Sequence, residues 1–153
     1  MAKEMKRILI FSHALEIGGA ERALLGLLNS IDTTKYYVDL FLMRHEGELF
    51  QYIPQGVKLL PELPEYASLA VPIATVIKKR QLKIAVGRAY GKYKAKHYVR
   101  KHRIRRDNGV GLEYSHKYTK KFMPNVGVGE YDLAISFLTP HYFVAEKVKA
   151  KRI

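Results

Sequence analysis

An α/β fold, wound in both directions around a parallel sheet and interrupted by a basic helical insertion, is predicted from three observations. Short apolar runs alternate with helical patterns near both ends of the chain, which is the signature of right-handed strand–helix–strand units. Prolines and glycines cut that rhythm between about residues 64 and 129. The formal net charge of +13 also falls within the interruption: thirteen Lys and Arg and no acid lie between residues 78 and 106, and the rest of the chain is balanced.

Residues 7–12 (RILIFS) form an apolar, branched run suited to a buried parallel strand. HALEIGG reads as a loop, and residues 20–31 set Ala20, Ala23, Leu24, Leu27, Leu28 and Ile31 at helical spacing. A second strand is expected at 37–43, a short helix at 46–53 and a third strand at 57–60. Pro61, Pro64 and Pro72 break the pattern. Residues 73–98 then read as helical, with Ile73, Ile77 and Ile84 on one face and Gly87 and Gly91 able to divide it. Residues 108–129, with four glycines and a proline, read as loop. A last strand is expected at 131–138 and a last helix at 140–151, opened by Pro140. The whole is one Rossmann-like domain spanning residues 1–153.

Composition narrows the chemistry. With 48% hydrophobic and 27% charged residues the chain is globular and long enough for a core. It has no cysteine, which excludes a disulfide framework, a Cys-based zinc site, an iron–sulfur cluster and a thiol nucleophile. No apolar run approaches the roughly 20 residues that span a bilayer. The apolar run 8–11 is too short for a signal-peptide core, so a cytoplasmic protein is expected. No H-E-x-x-H or similar spacing is present, and no metal site is expected.

The sharpest local signal is Ile17-Gly18-Gly19-Ala20-Glu21-Arg22, between the first strand and the first helix. Two glycines let a backbone approach a ligand, and a helix start offers N–H groups to a phosphate. A tight turn that only packs the helix on the sheet would use the same glycines. The dinucleotide fingerprint fails, because the third glycine is missing and Asp39 lies inside the second strand. The P-loop fails on both spacing and the Lys-Ser/Thr pair. His13 after the first strand, and Thr139 and His141 after the last, reach the carboxyl edge where such sheets bind ligands. Each is a candidate cleft residue, although a lone histidine in a loop is more often structural or merely solvated. Asp132 reads as a cap or surface group, and no catalytic residue can be named.

The stretch ILIFSHALEIGGAERALLGLLNSI resembles the N-terminal segment of family 4 glycosyltransferases of the GT-B architecture, many of which carry Gly-Gly-Ala-Glu-Arg here. YDLAISFLTPHYFVAEKVKAKRI is similar to the last strand and helix of their N-terminal domain. The likeness covers about residues 6–60 and 130–153 and is weak in the basic middle. It implies one half of an enzyme with two Rossmann-like domains facing a cleft. The N-terminal half receives the acceptor, and a C-terminal half, not within these residues, binds the nucleotide sugar through a Glu-x7-Glu region. Gly18 and Gly19 would then approach the donor diphosphate, with Glu21 and Arg22 fixing the loop or facing charged ligand groups. Transfer would be retaining, without metal or cofactor, and largely electrostatic. The chain alone would be catalytically silent, and its parent would serve capsular or other surface-polysaccharide synthesis.

The basic segment needs its own explanation. A solvated charged face normally mixes signs; here Lys78, Lys79, Arg80, Lys83, Arg88, Lys92, Lys96, Arg100 and Arg103 stand without acids, interleaved with Tyr90, Tyr93 and Tyr98. Ile73, Val76, Ile77, Leu82, Ile84 and Val86 add an apolar side. That combination suits an anionic membrane surface at the inner face of the cell membrane, where a lipid-linked acceptor would reside. An anionic polysaccharide or a polyprenyl diphosphate would use the same charges. The alternative is a nucleic-acid-binding module across 78–106, although no helix-turn-helix, zinc-finger or RNP-like pattern accompanies it.

Overall fold

β1 (Lys6–Ser12) is the centre of the sheet because its run Leu9, Ile10, Phe11 leaves nothing polar to solvate, and all three are fully buried. It pairs in parallel with β2 (Tyr36–Leu42) on one side and β4 (Leu133–Ser136) on the other; β3 (Val57–Leu59) pairs with β2. The order is β3-β2-β1-β4, an all-parallel, Rossmann-like sheet flanked by helices. This computed structural model describes residues 5–105, 109–138 and 140–153, and the chain divides into two units. The first is Met1–Leu63 with Asn125–Ile153, and the second is Pro64–Pro124.

Successive β1 side chains leave opposite faces of the sheet. Ile10 joins Leu24 and Leu28 of α1 (Gly19–Ser30), together with Val38 and Leu40 of β2. Phe11 meets Phe143 of α6 (His141–Lys147), ring centroids 6.1 Å apart. Helices therefore cover both faces.

Asp39, out of place for a ribose contact, has a structural use. Its carboxylate accepts the Tyr131 hydroxyl at 2.7 Å and the Arg7 guanidinium at 3.3 Å, while Arg7 lies 4.5 Å over the Tyr131 ring. The cluster ties β1, β2 and the approach to β4 together beneath the sheet. Asp132 accepts the Arg7 backbone N–H at 3.0 Å and Lys151 Nζ at 2.8 Å.

Several expected boundaries shift for local reasons. The helix expected at 46–53 is only a 3-10 turn, Phe50–Tyr52, because Gly47 takes φ +112°. The last strand shortens to Leu133–Ser136, and the last helix ends at Lys147. Beyond it the backbone is extended and trades ladder bonds with Tyr131: Tyr131 N–H donates to Lys149 O at 2.9 Å, and Lys151 N–H to Tyr131 O at 2.9 Å.

The second unit is helical: α2 (Pro64–Ala67), α3 (Ile73–Lys78), α4 (Leu82–Lys101), α5 (Val110–Thr119) and a 3-10 turn Lys120–Phe122. The single helix expected at 73–98 breaks at Arg80, whose φ of +58° closes α3 with a Gln81 N–H to Val76 O bond of 3.1 Å. Arg103 (φ +51°) ends α4 in the same way, Ile104 N–H reaching Val99 O at 3.0 Å. Gly87 and Gly91 do not divide α4. They are buried against α5, and a Cβ would stand 2.8 Å from Tyr118 O at Gly87 and 2.6 Å from Tyr114 O at Gly91. The loop expected at 108–129 contains α5, entered through Gly109 at φ +86°.

Candidate functional site

In the order β3-β2-β1-β4 the winding reverses beside β1, so the loops after β1 and β4 leave one sheet edge next to each other. That reversal is where open α/β sheets hold ligands. His13, Gly18, Gly19, Glu21 and Arg22 follow β1 and α1's start, and His141 opens α6 after β4. Thr139 lies outside the described residues.

The loop after β1 is held in place rather than left to wander. Leu15 is buried, its N–H donates to Glu46 O at 3.1 Å, and its carbonyl accepts Leu49 N–H at 2.9 Å. Gly47 is required here, since any Cβ would fall on the Leu15 carbonyl. Arg44 donates its backbone N–H to His13 O at 2.9 Å, and its guanidinium pairs with Glu16 at 3.0 Å and with Glu46.

At the start of α1, Gly18 is extended, so it is not glycine for its dihedrals. The Glu21 carboxylate folds back over it, and a Cβ there would only turn that flexible side chain aside. Glu21 is the acid of the first turn and complements the helix dipole. Gly19 has open space where a Cβ would be. Of the glycine pair, Gly18 lies under the Glu21 carboxylate and Gly19 offers the open approach. Arg22 is exposed and closes the first helical bond to Gly18 O at 3.2 Å.

His13 is partly buried, and burial first, then the charge of Arg44, pushes its pKa below the ordinary imidazole value, with Glu21 opposing. Near neutrality it is an uncharged ring that can exchange hydrogen bonds with a hydroxyl. His141 is exposed, its ring 4.2 Å from that of Tyr142.

Sequence reasoning missed the partner of this edge. Glu16, Ile17, Glu46, Gly47 and Glu48 line an open recess of about 670 Å3. Its carboxylates suit hydroxyl-rich or cationic groups better than phosphates. The run Glu46-Gly47-Glu48 was the available signal, but its packing against residue 15 is a long-range contact. Among the described residues no cluster of three or more His, Asp and Glu is placed to hold a metal ion.

In the second unit, Lys78, Lys79, Arg80, Lys83, Lys92, Lys96, Arg100 and Arg103 are exposed. Arg88 is not part of that surface. Its guanidinium donates to Ser68 O at 2.8 Å and Val71 O at 2.5 Å, and burial lowers its pKa. Ile84 and Val76 are also buried, while Ile77, Leu82 and Val86 are exposed. The expected apolar side is therefore two sides.

Fold and edge together define a Rossmann-like α/β unit, whose loops after β1 and β4 leave the same sheet edge, and a cationic helical unit. No protein-family model, no curated protein and no solved structure matches the chain.

Proposed function

We propose that this chain is the acceptor-side N-terminal domain of a GT-B glycosyltransferase, moving a sugar from a nucleotide-sugar donor to a lipid-linked or polysaccharide acceptor at the cytoplasmic face of the membrane. One observation carries the reading: the Gly18-Gly19 turn and His141 come to the same sheet edge at the point where the winding reverses. A neutral His13 and the carboxylate-lined recess suit the hydroxyls of a sugar acceptor. Gly19 leaves room for a diphosphate to approach the backbone, and Arg22 supplies a cation near it.

The donor would be held by a second α/β domain following residue 153, and the leaving diphosphate would be neutralised by backbone N–H groups and cations, with no metal or cofactor. The nucleic-acid alternative has less support. Tyr90, edge-on to Tyr118 at 4.8 Å, and Tyr98, 5.8 Å from Tyr114, each give part of a ring to α5, which leaves Tyr93, among the described residues, as the tyrosine of the three with no such contact to limit stacking on bases.

The test starts with the gene beyond codon 153, where a second α/β pattern with Glu-x7-Glu is expected. The product of that longer frame should transfer labelled sugar to membrane lipid extract, and the 153-residue chain alone should not. A stop codon at 154, or robust transfer by the short chain, would overturn the reading.

A further inference from the structure

α4 is apolar on two sides, and the fold uses one of them. Ile84, Ala85, Gly87, Gly91 and Ala95 are buried on one side, where the glycines admit the backbone of α5. Leu82, Val86 and Tyr93 recur at helical spacing on another side, and they are 58%, 67% and 66% exposed. Ile77 at the end of α3 is exposed as well.

The unit that carries this ridge is strongly cationic. Between Pro64 and Pro124 the sequence has sixteen Lys and Arg against three acids, and elsewhere it has eleven of each. The entire net charge therefore belongs to the helical unit. At the start of α4, beside Leu82, an open recess of about 580 Å3 is lined by Arg80, Lys83, Lys121 and Phe122.

We infer that the Leu82–Val86–Tyr93 ridge is a membrane-docking surface that lies in the plane of an anionic bilayer, with the aliphatic side chains inserted and the lysines and arginines against lipid phosphates. Charge complementarity selects an anionic partner. The ridge selects a bilayer over a nucleic acid, because exposed Leu82 and Val86 gain nothing from phosphates or solvated base edges, whereas a headgroup–acyl boundary buries them. Tyrosine belongs at that boundary, its ring apolar and its hydroxyl wet. The inference deepens the acceptor-side reading by naming how the domain reaches its membrane, and it rests on that reading only for the choice of compartment.

The full 153-residue chain contains no tryptophan, so V86W provides a fluorophore without background. With vesicles of phosphatidylcholine and about 30% phosphatidylglycerol at low salt, V86W emission should shift to the blue and be quenched by lipids brominated in the acyl chain. Pure phosphatidylcholine should produce neither change. L82Q/Y93Q, both at exposed positions, should weaken co-sedimentation about tenfold or more, while L112Q, exposed on α5, leaves it unchanged; circular dichroism checks that each variant folds. No binding, binding without a blue shift, or tighter binding to single-stranded RNA than to vesicles would each overturn the inference. None of these outcomes bears on sugar transfer, which is read by the longer frame.

Discussion

Arg44 and Glu21 pull the titration of His13 in opposite directions. Arg44→Gln removes the cation that lowers its pKa and should raise it; Glu21→Gln removes the opposing anion and should lower it further. The imidazole proton shift followed by NMR against pH measures both. Since folded His13 binds its proton more weakly than the unfolded chain, the stability it contributes is present above the ordinary value of 6.5 and is lost as pH falls through the folded value. Tyr131 has the opposite sense. Burial and its bond to Asp39 push the phenol up from 10.0 to about 12. Its contribution, on the order of 2 kcal/mol from a shift of that size, is therefore full below pH 10 and fades as pH rises toward 12. Denaturant midpoints for Tyr131→Phe should lose this alkaline slope. Of these residues, the glycine turn and His13 were visible as a motif on a loop. Arg44, Glu46 and Gly47 were not, because what they do depends on a turn some thirty residues away in sequence meeting residues 13–16.

Whether a glycine in a helix is a weakness or a requirement depends on what lies beside it. Gly91→Ala would drive a Cβ to 2.6 Å from Tyr114 O, so it should destabilise the α4–α5 pair by about 1–3 kcal/mol. Gly111→Ala, in α5 with open space beside it, should stabilise by about 0.5–1 kcal/mol. Thermal or urea denaturation of the two variants, followed by circular dichroism, decides both. The same contrast explains what was legible among the elements. β1, α1 and β2 follow from periodicity, and the alternation of Ile10 and Phe11 already implies helices on both faces. The break at Arg80 and the stop at Arg103 were illegible, because arginine is a good helix former and nothing local announces a left-handed residue. α5 was hidden by Gly109 and Gly111, which read as loop until α4 lies against the helix.

Across the whole molecule the charge follows the structural division: a neutral α/β unit and a helical unit carrying all of the +13. Like charges on one small unit repel, and salt screens them over about 10 Å at 0.1 M. Amide exchange in α4 and α5 should slow when sodium chloride rises from about 10 mM to about 300 mM, while β1 and β2 amides change little. Equal responses in both units would contradict the partition.

The central claim is that the β1–β4 carboxyl edge receives a sugar acceptor, and amide chemical shifts of the labelled chain test it most directly. Titration with a water-soluble, short-chain prenyl-diphosphate sugar should move His13 and His141 together, and His13→Ala should weaken the response. Shifts confined to the helical unit, or none at this edge, would contradict the account.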